Sequence, residues 1–221
     1  YTARARCHGP CIRIFRIGRT KERFEAVVRT KDTMGKNDQR FVRPVKVAAL
    51  ATYVPPRVMT NADLEKLVDT NDEWIRQRTG VVERHVADPG VGTSALAVPA
   101  ARQAVAQAGL TPDDIDLIVV GTTTPDTVFP STACLVQHQI GASNAWGFDL
   151  GAACSGFTYA LTTAAELVST GSHRHALAIG ADVMTSILDY QDRATCILFG
   201  DGAGGARTEE RIKHDIANLG R

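Results

Sequence analysis

Three short strand stretches, Ile115–Val120, Ala145–Leu150 and Ala176–Ala181, are separated by helical segments, and the first is a continuous aliphatic run. A continuous apolar run bounded by turn residues marks a strand covered on both faces. The intervening helices carry their own start and stop signals. Ser94–Ala108 is alanine-rich and meets Gly109, and Pro130-Ser131-Thr132 opens a helix that reaches Ile140 and stops at Gly141. Ser155–Ser169 forms the third helix. Strands alternating with helices of this length predict an α/β layered sheet with helices on both faces.

The flanks add shorter elements. Val45–Ala51 is a strand ended by Tyr53-Val54-Pro55-Pro56, since proline cannot continue a ladder. Thr60-Asn61-Ala62-Asp63 opens a helix over Leu64–Val68, with a capping oxygen and an acid in the first turn. A second capped start, Thr70-Asn71-Asp72-Glu73, leads into Trp74–Gly80, and Val81–Val86 alternates as a strand. Thr195–Phe199 reads as a last strand before Gly200-Asp201-Gly202-Ala203-Gly204-Gly205, which reads as a turn that needs glycine dihedrals. The same run lacks the glycine spacing and following helix of a nucleotide-binding loop.

Charge divides the chain. Residues 1–46 hold 13 Lys/Arg against 4 Asp/Glu, and the remainder holds 12 against 20, although the net charge is only +1. A split of this kind marks a boundary. The predicted organisation is a basic, poorly ordered extension over residues 1–43, a domain over 44–205, and a charged tail over 206–221 that is at most a short helix. The basic segment lacks the fold and aromatic interleaving of a nucleic-acid binder. Cys7-His8-Gly9-Pro10-Cys11 has too few ligands for a closed zinc site, so no metal is expected. No apolar run is long enough to cross a membrane, and the N-terminus does not read as a secretory signal. Five cysteines at irregular spacing argue for free thiols in a reducing cytoplasm.

Among these cysteines, Cys154 stands apart. Gly151-Ala152-Ala153-Cys154-Ser155-Gly156-Phe157 joins a strand to a long helix, with small residues on both sides that let the chain turn sharply and a substrate approach. A cysteine at a helix N-terminus sits at the positive end of the dipole, which favours the nucleophilic thiolate, and the free amides there can hold an oxyanion. A small buried core residue is the other reading of such a cysteine. Cys134 falls within a helix and Cys196 within the predicted strand, both as core residues.

Several stretches together resemble the β-ketoacyl-acyl-carrier-protein synthase III family. They are Thr60–Glu65, Asp72-Glu73-Trp74-Ile75 with Arg78-Thr79-Gly80, Phe129-Pro130-Ser131, Ala153–Phe157, Asp192-Arg193 and Phe199–Gly204, in family order over about Val45 to Gly205. The resemblance implies a thiolase-like layered mixed sheet, and it covers only the N-terminal half of that family's two-half fold. It implies acyl transfer from acyl-CoA, typically acetyl-CoA, to Cys154, then condensation with malonyl-carrier protein and loss of carbon dioxide. Trp74 and Arg193 would flank the adenine of CoA, Thr70 would contact the same ring, and Arg78 would face the phosphates. Phe129 would reach the acyl pocket across a homodimer. The partners would be acyl-CoA and acyl carrier protein, with no separate cofactor, no nucleic acid and no membrane, in the cytoplasm.

In the family a second half supplies a histidine and an asparagine that polarise the malonyl thioester and stabilise the enolate. The only echo is His214–Arg221, whose spacing is off by a residue and which we read as coincidence. Slow self-acylation is therefore expected, and decarboxylative condensation is not. A non-catalytic remnant that keeps the fold, and a cysteine-dependent acyltransferase or thioesterase, are the alternative readings.

Overall fold

The structure, a computed structural model, describes residues 43–210. The expectations for the basic extension over 1–42, including its cysteine pair, and for residues 211–221 lie outside the described residues.

Strands β1 (Val45–Tyr53), β4 (Leu117–Gly121), β5 (Trp146–Leu150), β6 (His175–Val183) and β7 (Asp201–Glu210) form one five-stranded sheet in the order β1-β7-β6-β4-β5. β4 runs parallel to both β5 and β6, whereas β7 is antiparallel to β1 and β6, so the sheet is mixed. A separate hairpin pairs β2 (Val58–Thr60) with β3 (Glu83–His85). The helices are α1 (Asn61–Leu64), α2 (Asp72–Thr79), α3 (Thr93–Gln107), α4 (Thr132–Ile140), α5 (Gly156–Ser169) and α6 (Arg193–Cys196).

The two-residue period of the strands distributes the core. Ile118 and Val120 of β4, with Leu177, Ile179 and Ala181 of β6, pack under α3 and α4. Their neighbours Leu117, Val119, Ala176 and Ala178 face Ala160, Ala164 and Val168 of α5. Helices therefore cover both faces, as the sequence predicts. The caps also hold: the Thr60 hydroxyl and the Asp63 carboxylate close a reciprocal capping box on α1, and the Asn71 and Ser131 side chains accept from the first turns of α2 and α4.

The first capped helix is displaced from Leu64–Val68 to Asn61–Leu64, with residues 65–67 following it as turns. Two further elements differ from expectation. Residues 195–199 are not a strand: the Asp192 carboxylate accepts from the Ala194 amide and starts the single turn of α6, and Cys196 and Ile197 are buried against Leu64 and Ile75. The glycine run is not a turn but opens β7, which lies between β1 and β6. Glycine is disfavoured in strands because it offers no side chain to pack. Here two antiparallel neighbours supply the ladder, and the small residues let α3 lie close over the strand, with Ala203 buried beneath it. The domain consequently continues past Gly205. Ala206, Arg207 and Thr208 are buried, and Glu209 and Glu210, read as tail charges, pair with Lys46 at 3.3 Å and Arg43 at 2.9 Å.

Arg207 is a fully buried cation that donates to the Nδ1 of His175 at 2.6 Å and to the Glu209 carboxylate. A guanidinium has no lone pair to offer, so Nδ1 must accept and the imidazole must be neutral. Burial first, and the Arg207 charge second, push His175 below its ordinary 6.5; Arg174 acts in the same direction, whereas Asp116 and Glu209 oppose it. A histidine depressed in the fold contributes stability that is complete above the unfolded value and is lost as pH falls through the folded one. Urea-unfolding midpoints should therefore drop as the pH is lowered below the ordinary histidine value of 6.5. His175→Asn keeps an acceptor for Arg207 but cannot titrate, so the drop should shrink in that variant; an unchanged pH dependence would remove His175 from the account.

Candidate active site

β5 ends at Leu150, the chain passes through Gly151 and Ala152, and a single 3-10 turn, Ala153–Ser155, delivers it into α5. Ala153 has φ of 45°, in the left-handed region that residues with a Cβ seldom occupy. Strain of this kind, of order 1–3 kcal/mol, persists where surrounding packing dictates it and gathers at functional sites. The elbow leaves Cys154 exposed at the head of the helix, while Cys134 is half-buried and Cys196 is buried.

The packing that dictates the elbow involves three glycines, Gly121, Gly156 and Gly180. A Cβ placed on Gly121, at the end of β4, would lie 2.4 Å from the carbonyl carbon of Gly156 and 2.5 Å from its oxygen. The first turn of α5 thus rests directly on the strand backbone. Gly180 of β6 makes the neighbouring contact, where a Cβ would come 2.8 Å from that of Phe157. Neither approach tolerates a side chain.

Cys154 opens into a cleft of about 530 Å³ whose walls include Leu50, Thr52, Gly121, Phe157, Asp182 and Gly204. The cleft lies at the carboxyl ends of the parallel strands β4 and β6, where open α/β sheets characteristically bind ligands. One oxygen of Asp182 accepts from the Thr123 amide at 2.8 Å and from the hydroxyls of Thr122, Thr123 and Thr124 at 3.0–3.1 Å. It thereby ties the loop after β4 to the end of β6. Asp201, at the start of β7, similarly accepts from the Ala87 amide at 2.6 Å and the Thr185 hydroxyl at 2.6 Å. The sequence reading passed over Asp182 and gave Asp201, within its glycine run, no role. The signal for Asp182 was position: it follows directly on the apolar run Ala176–Ala181, near the end of β6 where a ligand would enter.

The expected CoA-binding residues form a second group. The guanidinium carbons of Arg78 and Arg193 lie 4.7 and 4.8 Å from the centre of the Trp74 ring. Arg193 also donates to the Asp69 carbonyl at 3.3 Å, beside Thr70, whose buried hydroxyl has no hydrogen-bond partner. Trp74 packs on the small apolar cluster of Leu64, Ile75, Cys196 and Ile197, apart from the two sheet-face cores. The fold therefore gathers Trp74, Arg78 and Arg193, but none of them, nor Thr70 or Phe129, lines the cleft at Cys154. Phe129 is 88% exposed and Val128 98% exposed, on the loop between β4 and α4. No histidine lines the cleft among the described residues, nor do three or more His, Cys, Asp or Glu side chains converge as metal ligands there. No helix among them is long and apolar enough to cross a membrane.

A family profile described as 3-Oxoacyl-[acyl-carrier-protein (ACP)] synthase III matches residues 148–219, which include the elbow and β7 and extend past Gly205. The β-ketoacyl-[acyl-carrier-protein] synthase III of Solibacter usitatus is 60% identical over 170 residues, covering 77% of this chain and 51% of the relative. This chain belongs to the synthase III family. The Koribacter versatilis synthase III is 56% identical over 168 residues, 76% of this chain and 50% of its own. The synthase III structure from Aquifex aeolicus VF5 superposes with a TM-score of 0.74 at 45% identity, covering 77% of this chain and 55% of that one. The fold is thus the thiolase-like one, represented in part, and the chain spans about half the length of the curated relatives it matches.

The glycine contact yields a direct test. Gly121→Ala drives a methyl into the Gly156 backbone, which no rotamer change relieves, and should cost about 1–3 kcal/mol of stability. It should also change the rate at which iodoacetamide alkylates Cys154, because α5 must lift. Urea denaturation and timed alkylation measure both, and a variant of parental stability and reactivity would show that the contact does not hold the elbow.

Proposed function

We propose that this chain carries the acyl-accepting site of a synthase III, with Cys154 taking an acyl group, typically acetyl, from acyl-CoA. The observation that supports the reading best is an exposed cysteine on a left-handed elbow at the head of a long helix, opening into a cleft at the strand ends. The Cys154 thiolate adds to the thioester carbonyl, the amides at the start of α5 stabilise the oxyanion, and the intermediate collapses with departure of the CoA thiolate. One carbon–sulfur bond forms and one breaks, so the step needs no metal and no redox partner.

Trp74 and Arg193 hold the adenine between an indole face and a guanidinium plane, both suited to stacking on a flat heterocycle. Their present contact at 4.8 Å is exchanged for contacts with the base. Arg78 faces the phosphates, and the unpartnered Thr70 hydroxyl offers the ring a hydrogen bond. In the complete reaction the acyl group condenses with malonyl-acyl carrier protein in the cytoplasm, and the working form is a homodimer in which Phe129 reaches the neighbouring acyl pocket. Condensation requires donors placed on the enolate left by decarboxylation. The described walls of the cleft include neither histidine nor asparagine, so the described residues account for the acyl-enzyme and not for the condensation.

Intact mass spectrometry after incubation with acetyl-CoA should show one acetyl adduct, absent in Cys154→Ala. No adduct on the parent chain would sink the acyl-transfer reading. Carbon dioxide release from malonyl-carrier protein should not be detected; its detection would place the condensing groups within this chain. Trp74→Ala should raise the half-saturating acetyl-CoA concentration by on the order of tenfold or more, since stacking one base is worth about 1–3 kcal/mol.

A further inference from the structure

Asn61 and Arg84 are buried polar side chains, 2% and 6% exposed, that touch neither the cleft nor the Trp74 ring in any contact described above. Their hydrogen bonds nevertheless run between the two elements that carry the proposed adenine clamp. Asn61 spans α2 from end to end: its amide nitrogen donates to the carboxylate of Asp72, the first residue of that helix, at 2.7 Å and to the carbonyl of Val81, just past its last turn, at 2.9 Å. Its amide oxygen accepts from Arg84 at 2.9 Å. The same guanidinium nitrogen donates to the carbonyl of Ile197, which closes α6, at 3.3 Å, and the other terminal nitrogen donates to Met59 at 3.3 Å. A continuous polar path thus leads from α2, which carries Trp74, through Asn61 and Arg84 to α6, which Arg193 begins.

The hairpin bearing Arg84 is itself fixed. A Cβ on Gly200 would lie 2.9 Å from the His85 carbonyl and 3.0 Å from the Arg84 Cβ, so β3 rests on the backbone just ahead of β7. The apolar cluster around α1, α2 and α6 has only four fully buried members, Leu64, Ile75, Cys196 and Ile197. Apolar contact is non-directional and allows short helices to slide, whereas hydrogen bonds in a dry site admit one geometry. Arg84 keeps this place although its Nε has no partner, a cost that a purely apolar filling would avoid.

We propose that Asn61 and Arg84 are positioning residues for Trp74 and Arg193, setting the gap that the adenine ring of the CoA thioester enters. The inference rests on the clamp reading above, and its test separates the two. In the full chain carrying Trp146→Phe, Trp74 is the sole tryptophan, since the sequence has two. Arg84→Met removes every donor while keeping a long apolar stem, and Asn61→Leu removes the amide at similar volume. Each should raise acrylamide quenching of Trp74 by about twofold and weaken CoA binding, measured calorimetrically, by about tenfold. Iodoacetamide alkylation of Cys154 should stay at the parental rate, because neither Asn61 nor Arg84 lines the cleft. Unchanged Trp74 quenching, or a Cys154 rate that shifts as far as the quenching does, would overturn the proposal. Arg84→Lys, which keeps the charge but not the fork, is held to the same criteria where either variant fails to fold. If the parent itself does not bind CoA, the functional reading fails, and the quenching comparison still decides the linkage.

Discussion

The backbone contact between Gly121 and Gly156 is the constraint from which the rest of the site follows. Because no side chain separates strand β4 from the first turn of α5, the helix starts at the level of the strand end and not one layer above it. The chain leaving β5 must then climb onto α5 within a few residues, and Ala153 absorbs the sharpness of that turn in a left-handed conformation. Cys154 is carried to the open edge as a result. The strain and the exposure of the cysteine have one cause, the close seating of α5, and the core beneath it at Ala160, Ala164 and Val168 keeps it seated.

A second theme is the use of carboxylates as local anchors around the sheet. Asp149 accepts from the Thr132 and Ala133 amides at the head of α4, and Asp126 accepts from the Ser94 amide and hydroxyl at the head of α3. Asp116 accepts from the amides of Arg174 and His175, and Asp182 gathers the three threonines after β4. Hydrogen bonds to a charged group are worth more than neutral ones, about 1.5–3 kcal/mol. Two of these carboxylates also meet the positive ends of helices. Of all four, Asp182 lines the cleft, whereas Asp116 braces the opposite end of the sheet, where β4 and β6 begin.

The cleft and the clamp are built differently. The cleft is cut from the main sheet, with small residues of β7 as part of its wall. The clamp stands on short helices over a small apolar cluster of its own, where directional polar contacts must supply the definition that bulk packing gives elsewhere. Gly200 joins them, lining the cleft on one side and pressing on the Arg84 hairpin on the other.

Much of this was written locally. The buried runs Ile115–Val120 and Ala176–Ala181, the helix from Ser155, the capping box at Thr60 and the small-residue elbow at Cys154 each depend on neighbours within a few positions, and each emerged in the structure close to where the pattern placed it. The glycine run at 200–205 did not, because its local composition opposes a strand and only pairing with β1 and β6 overrides that preference. Thr195–Phe199 failed for the complementary reason: its apolar residues were required by Leu64 and Ile75, far away in sequence, and a local cap at Asp192 bent them into a turn. The Arg84 bond to Ile197 spans 113 positions, and those of Asp182 to its threonines span about 60. By itself, then, the sequence determined the alternating elements and the small-residue elbow that carries Cys154, since these rest on short-range dihedral preference and periodicity; the residues of the proposed clamp came from the family resemblance. The tertiary structure alone decided which strand stands between β1 and β6, which loop Asp182 braces at the cleft and how α2 is tied to α6, because those contacts exist only once the chain has brought distant residues together.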